Sequence, residues 1–253
     1  MRRLAWIAVF ASLSPACFGE DVPVGSITPS ATLTTQPSSP STTTIATNTE
    51  TPPPVPVDLP AGVPRRYGPD AEPGDLPLEE LVPKDADVTG QWFATLSDGR
   101  QVVLVAFSRG GDVFGSEQAL LEWVRSEDTP HWRPVFAVDE PPEAGVLGIT
   151  VRTGDATGDG SPDALSFAAT GGSGACGTWR LIDLSGAADV WDLVVACDTS
   201  LEFSTDPVGL SMTEAIFKPG DAHCCPSRFR ISQLEFDGTT MIVTDSHTEP
   251  ASP

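Results

Sequence analysis

QWFATLSDGRQVVLVAF, residues 91–107, decides the fold class. Two runs rich in Val, Leu, Phe and Trp flank Asp98-Gly99, and a DG pair between such runs marks a β-hairpin, because both central residues of a type I′ turn take positive φ. The same arrangement recurs down the chain. Candidate strands 91–96 and 101–107 are followed by 119–125, 132–138, 148–152, 164–169, 178–184, 190–196, 209–217, 228–236 and 240–245, with Asp237-Gly238 as the second clear hairpin turn. Short strands separated by DG, GG, SG and PG signals predict an all-β fold, either a compact sandwich or a partial propeller-like antiparallel meander. The segment 116–125, SEQALLEWVR, also fits a helix capped by Ser116. Trp123 and Trp132 on either side of a polar SEDTP loop suit a hairpin better, so it is assigned as strand.

Upstream of this domain the composition changes twice. Arg2 and Arg3 precede an apolar run at 4–13 and the small-residue site Ser14-Pro15-Ala16, which predicts a signal peptide over 1–16 and hence export. No other segment approaches the roughly 18 apolar residues of a membrane-spanning helix. Residues 17–60 are dominated by Thr, Ser and Pro and read as a disordered tether that cannot bury enough apolar surface to offset its ordering entropy. The Pro- and acid-rich stretch 61–84 reads as loosely structured, with one short helical turn in LPLEELVP. The β-domain is expected at 85–247, and 248–253 as a disordered tail.

The chain has 35 acidic and 14 basic residues, a net charge of -21. Phosphate recognition needs basic stripes, so nucleic acid is excluded as a partner, and an anionic membrane surface would repel the chain. Membrane association is expected only through a lipid anchor, and the domain is expected to be a monomer.

Cys17 aside, the cysteines are Cys176, Cys197, Cys224 and Cys225, and an exported protein oxidises those it can. With Gly186-Ala187 as a two-residue hairpin turn, Ser185 opposes Ala188, Ile182 opposes Trp191, and Cys176 opposes Cys197. Parity makes that couple a non-hydrogen-bonded site, with Cα atoms about 4.5 Å apart. Cys224 and Cys225 then form a vicinal disulfide or stay reduced; alternatively, each bonds to one strand of the hairpin. Zinc at His223-Cys224-Cys225 is disfavoured, because adjacent cysteines point apart and zinc sites space their ligands. GGSGAC at 171–176 lacks the final Gly of a nucleophile elbow and reads as a flexible loop, and His131, His223 and His247 read as surface residues. No catalytic constellation emerges.

The remaining motif is GDATGDGSPD, residues 154–163. Oxygen-bearing side chains at alternate positions around Gly160 suit a hard cation, because Ca²⁺ takes 6 to 8 oxygen ligands and the glycine permits the sharp turn. GDATGDGSPDALSF resembles one unit of the FG-GAP or VCBS-type repeats of extracellular β-proteins. That likeness implies a structural Ca²⁺ held by Asp155, Thr157, Asp159, the carbonyl of Ser161, and Asp163. Ser166 stands where an EF-hand carries its bidentate Glu, which excludes a complete EF-hand. Asp87-Val88-Thr89-Gly90 looks like a degenerate echo of the motif.

Ala16-Cys17 resembles a bacterial lipobox, with Ser14 where Leu is usual, and implies lipidation of Cys17; simple cleavage after Ala16 is the alternative. Together with the tether, GGSGACGTW and GDAHCCPSRFRISQLEFDGTTM, it is similar to actinobacterial exported lipoproteins of the LppP/LprE type. The functional expectation is a non-enzymatic, cell-surface-tethered β-domain with a structural Ca²⁺ loop, acting as an envelope or interaction module toward an envelope protein or glycan. Two alternatives stand beside it. One is an extracellular hydrolase of glycan or peptidoglycan, which needs a concave pocket with paired carboxylates or a Ser/His pair. The other is a small-ligand-binding lipoprotein with an apolar cavity lined by Trp92, Trp179 and Trp191.

Overall fold

The computed structural model describes residues 58–68, 71–111, 115–127, 129–171, 175–222 and 225–251. Within them, 12 antiparallel strands form three 4-stranded sheets. Sheet 1 contains β1 (Ala86–Thr95), β2 (Gln101–Arg109), β3 (Glu117–Ser126) and β4 (Thr129–Glu140). Sheet 2 contains β5 (Gly148–Gly154), β6 (Asp163–Gly171), β7 (Cys176–Asp183) and β8 (Ala188–Ala196). Sheet 3 contains β9 (Thr199–Thr205), β10 (Val208–Ile216), β11 (Arg228–Phe236) and β12 (Met241–Pro250). Each sheet is a meander in which sequence neighbours pair, so the fold is the expected all-β, sandwich-like arrangement built three times over.

Alternation decides how the sheets stack. On β2, Val102, Leu104 and Ala106 face sheet 2, where they meet Ile149, Val151, Ala164, Ala168, Ile182 and Leu184 in a first apolar seam. Leu165, Trp179 and Leu181 on the other side of sheet 2 meet Leu201, Leu210 and Leu234 of sheet 3 in a second seam. The outer face of sheet 1, with Val103, Val105, Phe107, Leu121 and Trp123, is covered by the segment that precedes β1. The central strands β2 and β3 are therefore buried on both sides, which blurs the period-2 signal and explains why 116–125 fitted two templates.

The covering segment corrects one expectation. The described residues of 61–84 hold no strand beyond the Tyr67–Trp132 bridge, but they are packed against sheet 1. Leu81 is fully buried, Val63, Leu76 and Val82 are nearly so, and Leu59 packs beside them. Leu78–Glu80 forms the anticipated single helical turn. Polar ties hold the segment down. The Trp132 indole donates to the Ala71 carbonyl at 3.0 Å, and Arg125 donates to the same carbonyl at 2.9 Å while its guanidinium lies over the Trp132 ring. The tail is corrected as well, since β12 runs through His247 to Pro250 and the Ala251 amide donates to Ser227.

Strand β9, TSLEFST, is not among the candidate strands. Leu201 and Phe203 are its only apolar residues, and they suffice because one side of this edge strand is solvated. The two DG turns are hairpins, although neither is type I′. Gly99 takes φ +86° and Gly238 takes φ +96°, whereas Asp98 and Asp237 keep negative φ. A Gly99 N–H to Leu96 carbonyl bond with Leu96 also bonded to Arg100 gives a three-residue loop, while Asp237 bonds to Thr240 across Gly238.

Cys176 and Cys197 are joined, with Cα atoms 4.0 Å apart. The register that brings them together differs from the one derived from a two-residue turn. Asp183 pairs with Ala188 and Leu181 with Trp191, so the turn is two residues longer than expected, and two bulges restore the offset before the cysteines are reached. Cys225 is exposed in the β10–β11 connection, while Cys224 lies outside the described residues, as do Cys17, the signal peptide and most of the tether.

Candidate functional site

The GDATGDGSPD loop connects β5 to β6 at one end of sheet 2, where two other turns meet it. Gly154, which leads into it, must be glycine because a Cβ there would lie 2.6 Å from the Phe203 ring of sheet 3. Gly158 and Gly160 take φ of +77° and +81°, so the chain doubles back twice within a few residues.

Each carboxylate of the loop has a partner. Asp155 accepts the Gly158 amide at 2.6 Å on one oxygen and the Gly160 amide at 3.0 Å on the other. Asp159 accepts the Ser161 amide at 2.7 Å and the Ser185 hydroxyl at 3.1 Å. Asp163, fully buried, takes the Ala156 and Thr157 amides at 2.8 and 2.9 Å on one oxygen, and the Thr157 hydroxyl approaches the other at 3.4 Å. Burial pushes the Asp163 carboxyl up to about 6, against the opposing pull of those amides. The Asp159–Ser161 bond is an Asx turn, while Asp155 and Asp163 reach farther along the loop.

The loop is tied to its neighbours. The Ser161 and Ser97 hydroxyls lie 2.7 Å apart, bridging to the β1–β2 turn. Arg100 donates to the Ser185 carbonyl at 2.9 Å and pairs with Asp98, and Asp183 accepts the Ser185 amide and hydroxyl, both at 2.7 Å. Three turns are thus cross-linked into one acid-rich end with Arg100 among Asp98, Asp155, Asp159, Asp163 and Asp183. The proposed ligand residues are brought into one loop, but amides and hydroxyls already bond to the carboxylate oxygens of Asp155, Asp159 and Asp163. Among the described residues no group of three or more His, Cys, Asp or Glu side chains is placed to hold a metal ion.

The other sequence candidates fall elsewhere. Asp87-Val88-Thr89-Gly90 lies inside β1 at a bulge, so the positional counterpart of the loop in sheet 1 is the Ser97-Asp98-Gly99 turn. Trp92 packs into the first seam, and Trp179 and Trp191 into the second; they do not line one cavity. His131 is half-buried in β4 with its Nδ1 enclosed, not a surface residue, and Gly68 lies over that nitrogen. His223 and Ser173 lie outside the described residues.

Two open depressions are present away from the loop. One, of about 340 Å³, lies on the outer face of sheet 3 over Gln233, Glu235, Thr244, Asp245 and His247. There Glu235 accepts the Thr244 hydroxyl at 2.8 Å and His247 faces Glu249 at 3.3 Å, so neither is paired with Asp245. The other, of about 410 Å³, lies over Asp87, Thr89, Ser108, Ser116 and Gln118 at the edge of sheet 1.

No family model, curated protein or solved structure matches the chain. The likenesses to calcium-loop repeats and to exported lipoproteins therefore rest on the quoted motifs alone.

Sequence reasoning missed Glu122 altogether. It stands fully buried on β3, facing the first seam, and neither of its oxygens has a hydrogen-bond partner.

Proposed function

We propose that the chain is an exported, envelope-tethered β-module that binds an envelope glycan or protein and does no chemistry on it. The observation that carries this reading is the acid-rich end of the stack, where three turns from two sheets are locked together by Ser97–Ser161, Arg100–Ser185 and Asp159–Ser185 contacts. Asp98 and Asp159 are exposed at this end, and carboxylates held on a sheet scaffold suit recognition of donor-rich partners such as sugar hydroxyls or amines. The Cys176–Cys197 bond is compatible with an oxidising compartment, and the signal-like start and Ser/Thr/Pro tether agree with export. Cys17 is the proposed anchor; replacing it with Ser should move the protein from the membrane fraction to the medium.

Calcium enters this reading only if Asp155 and Asp163 exchange their amide partners for an ion. A Ca²⁺-dependent, Mg²⁺-independent rise in unfolding temperature, abolished by Asp155→Ala, would make the loop a structural metal site. No rise would leave it as hydrogen-bonded turns.

The deciding experiment is co-sedimentation of the protein with purified cell-wall glycan, with released reducing ends measured in the same tubes. Binding that Asp159→Asn weakens, without release, supports the module. Release of reducing ends would establish the hydrolase reading instead, and absence of both would direct the search to a protein partner.

A further inference from the structure

Glu122 lies at the middle of β3, with Leu104 of β2 and Phe136 of β4 opposite it and Leu120 and Val124 on either side along the strand. All four belong to the seam between sheets 1 and 2. The side chain is fully buried, and both carboxyl oxygens lack a hydrogen-bond partner. A carboxylate in such a setting has neither solvent nor donors to stabilise its charge, and a group so placed neutralises itself by keeping its proton.

The charged groups that act on it come from both sheets and oppose one another. Arg100, at the end of the β1–β2 turn, favours the ionised form, and Asp183, at the end of β7, disfavours it. Arg100 is already committed to Asp98 and to the Ser185 carbonyl. Further along the same seam, Arg180 of β7 pairs with Glu140 of β4 at 3.1 Å. Burial is the largest influence and holds the Glu122 carboxyl well above the ordinary glutamate range.

We propose that Glu122 is a proton-operated latch: as the neutral acid it lets sheets 1 and 2 close over it, and loss of its proton to base in the solvent opens the seam. The folded chain binds this proton more tightly than the unfolded chain does. The stabilisation is therefore complete below the unfolded glutamate value and is lost as pH rises through the folded one. The latch holds most firmly in acid and weakens as pH rises above the ordinary glutamate range.

The test is urea unfolding of the full chain and of Glu122→Gln, which keeps the shape without the titration, from about pH 5 to about pH 9. The expected result is that the folded-to-unfolded ratio of the native chain, divided by that of the Gln variant, falls with rising pH, by up to tenfold for each unit. A quotient constant over that range overturns the latch. If Glu122→Gln does not fold, Glu122→Leu replaces it, and infrared spectra at neutral pH decide. A protonated-carboxyl band in the native chain that the Leu variant lacks supports the proposal, and an identical spectrum in both refutes it. Hydrogen exchange then locates the opening: amides of β3 and β6 should exchange faster at alkaline pH in the native chain than in the Leu variant, and equal rates overturn the opening step.

Discussion

Removing the Cys176–Cys197 link with the double substitution Cys176→Ala, Cys197→Ala tests both the hairpin and the compartment. The two cysteines are 21 residues apart in sequence. Closing a loop of that size removes about 11 cal/mol/K from the unfolded ensemble, or about 3.3 kcal/mol at 25 °C. Packing contributes little, because Cys197 is exposed and Cys176 only half-buried. For a domain of this size each kcal/mol moves the melting temperature by roughly 2–4 °C, so the double variant should melt about 7–13 °C lower. Residual hairpin structure in the unfolded chain would bring the loss toward the lower figure. Urea unfolding should show a steeper denaturant dependence as well, since the unlinked chain expands further when it unfolds. Non-reducing peptide mapping of the native protein comes first. A Cys176 to Cys225 peptide, or a loss below about 1 kcal/mol, would refute the pairing or its cross-linking role.

Asp163→Ala strands the Ala156 and Thr157 amides in a buried site and should cost about 2–5 kcal/mol by urea unfolding; a cost under about 1 kcal/mol would mean the loop is not pinned through this side chain. Ser161→Ala breaks the bridge to Ser97 and should cost about 1 kcal/mol, and adding Ser97→Ala should cost almost nothing more, a non-additivity that a double-mutant cycle reads directly. Leu81→Ala, in the segment covering sheet 1, should lose about 2–5 kcal/mol, and a near-neutral result would mean that 61–84 is loosely structured after all.

What was legible in the sequence and what was not divides along the range of the interactions involved. Runs such as QVVLVAF and RISQLEF declare strands because β-branched and aromatic side chains fit a pleated, half-buried surface whatever lies across from them. The cysteine pairing emerged from local counting, yet by a route the structure revises. A turn two residues longer than supposed is offset by two bulges between Asp183 and Gly177, and neither error is visible from composition. The covering segment reads as loosely structured because Pro and acids dominate it. Its meaning rests in Val63, Leu76, Leu81 and Val82, whose partners on β2 and β3 lie well downstream, and no local window reports such contacts. The same reasoning explains both polar features. GDATGDGSPD announces a turn rich in oxygen ligands, but a backbone amide and a cation compete for the same oxygens, and which one a carboxylate meets depends on how the loop folds back on itself. Glu122 is one of 35 acidic residues in the sequence, distinguished by nothing until two sheets close on it. Its neighbours Leu120 and Val124 signal an inward face, and an acid between them breaks the binary pattern of a buried strand. Such a break costs most if the group is charged and less if it keeps its proton, although the unpartnered oxygens still carry a desolvation cost. The conflict between pattern and chemistry at that position is therefore resolved by protonation, which makes the closure of the first seam answerable to pH.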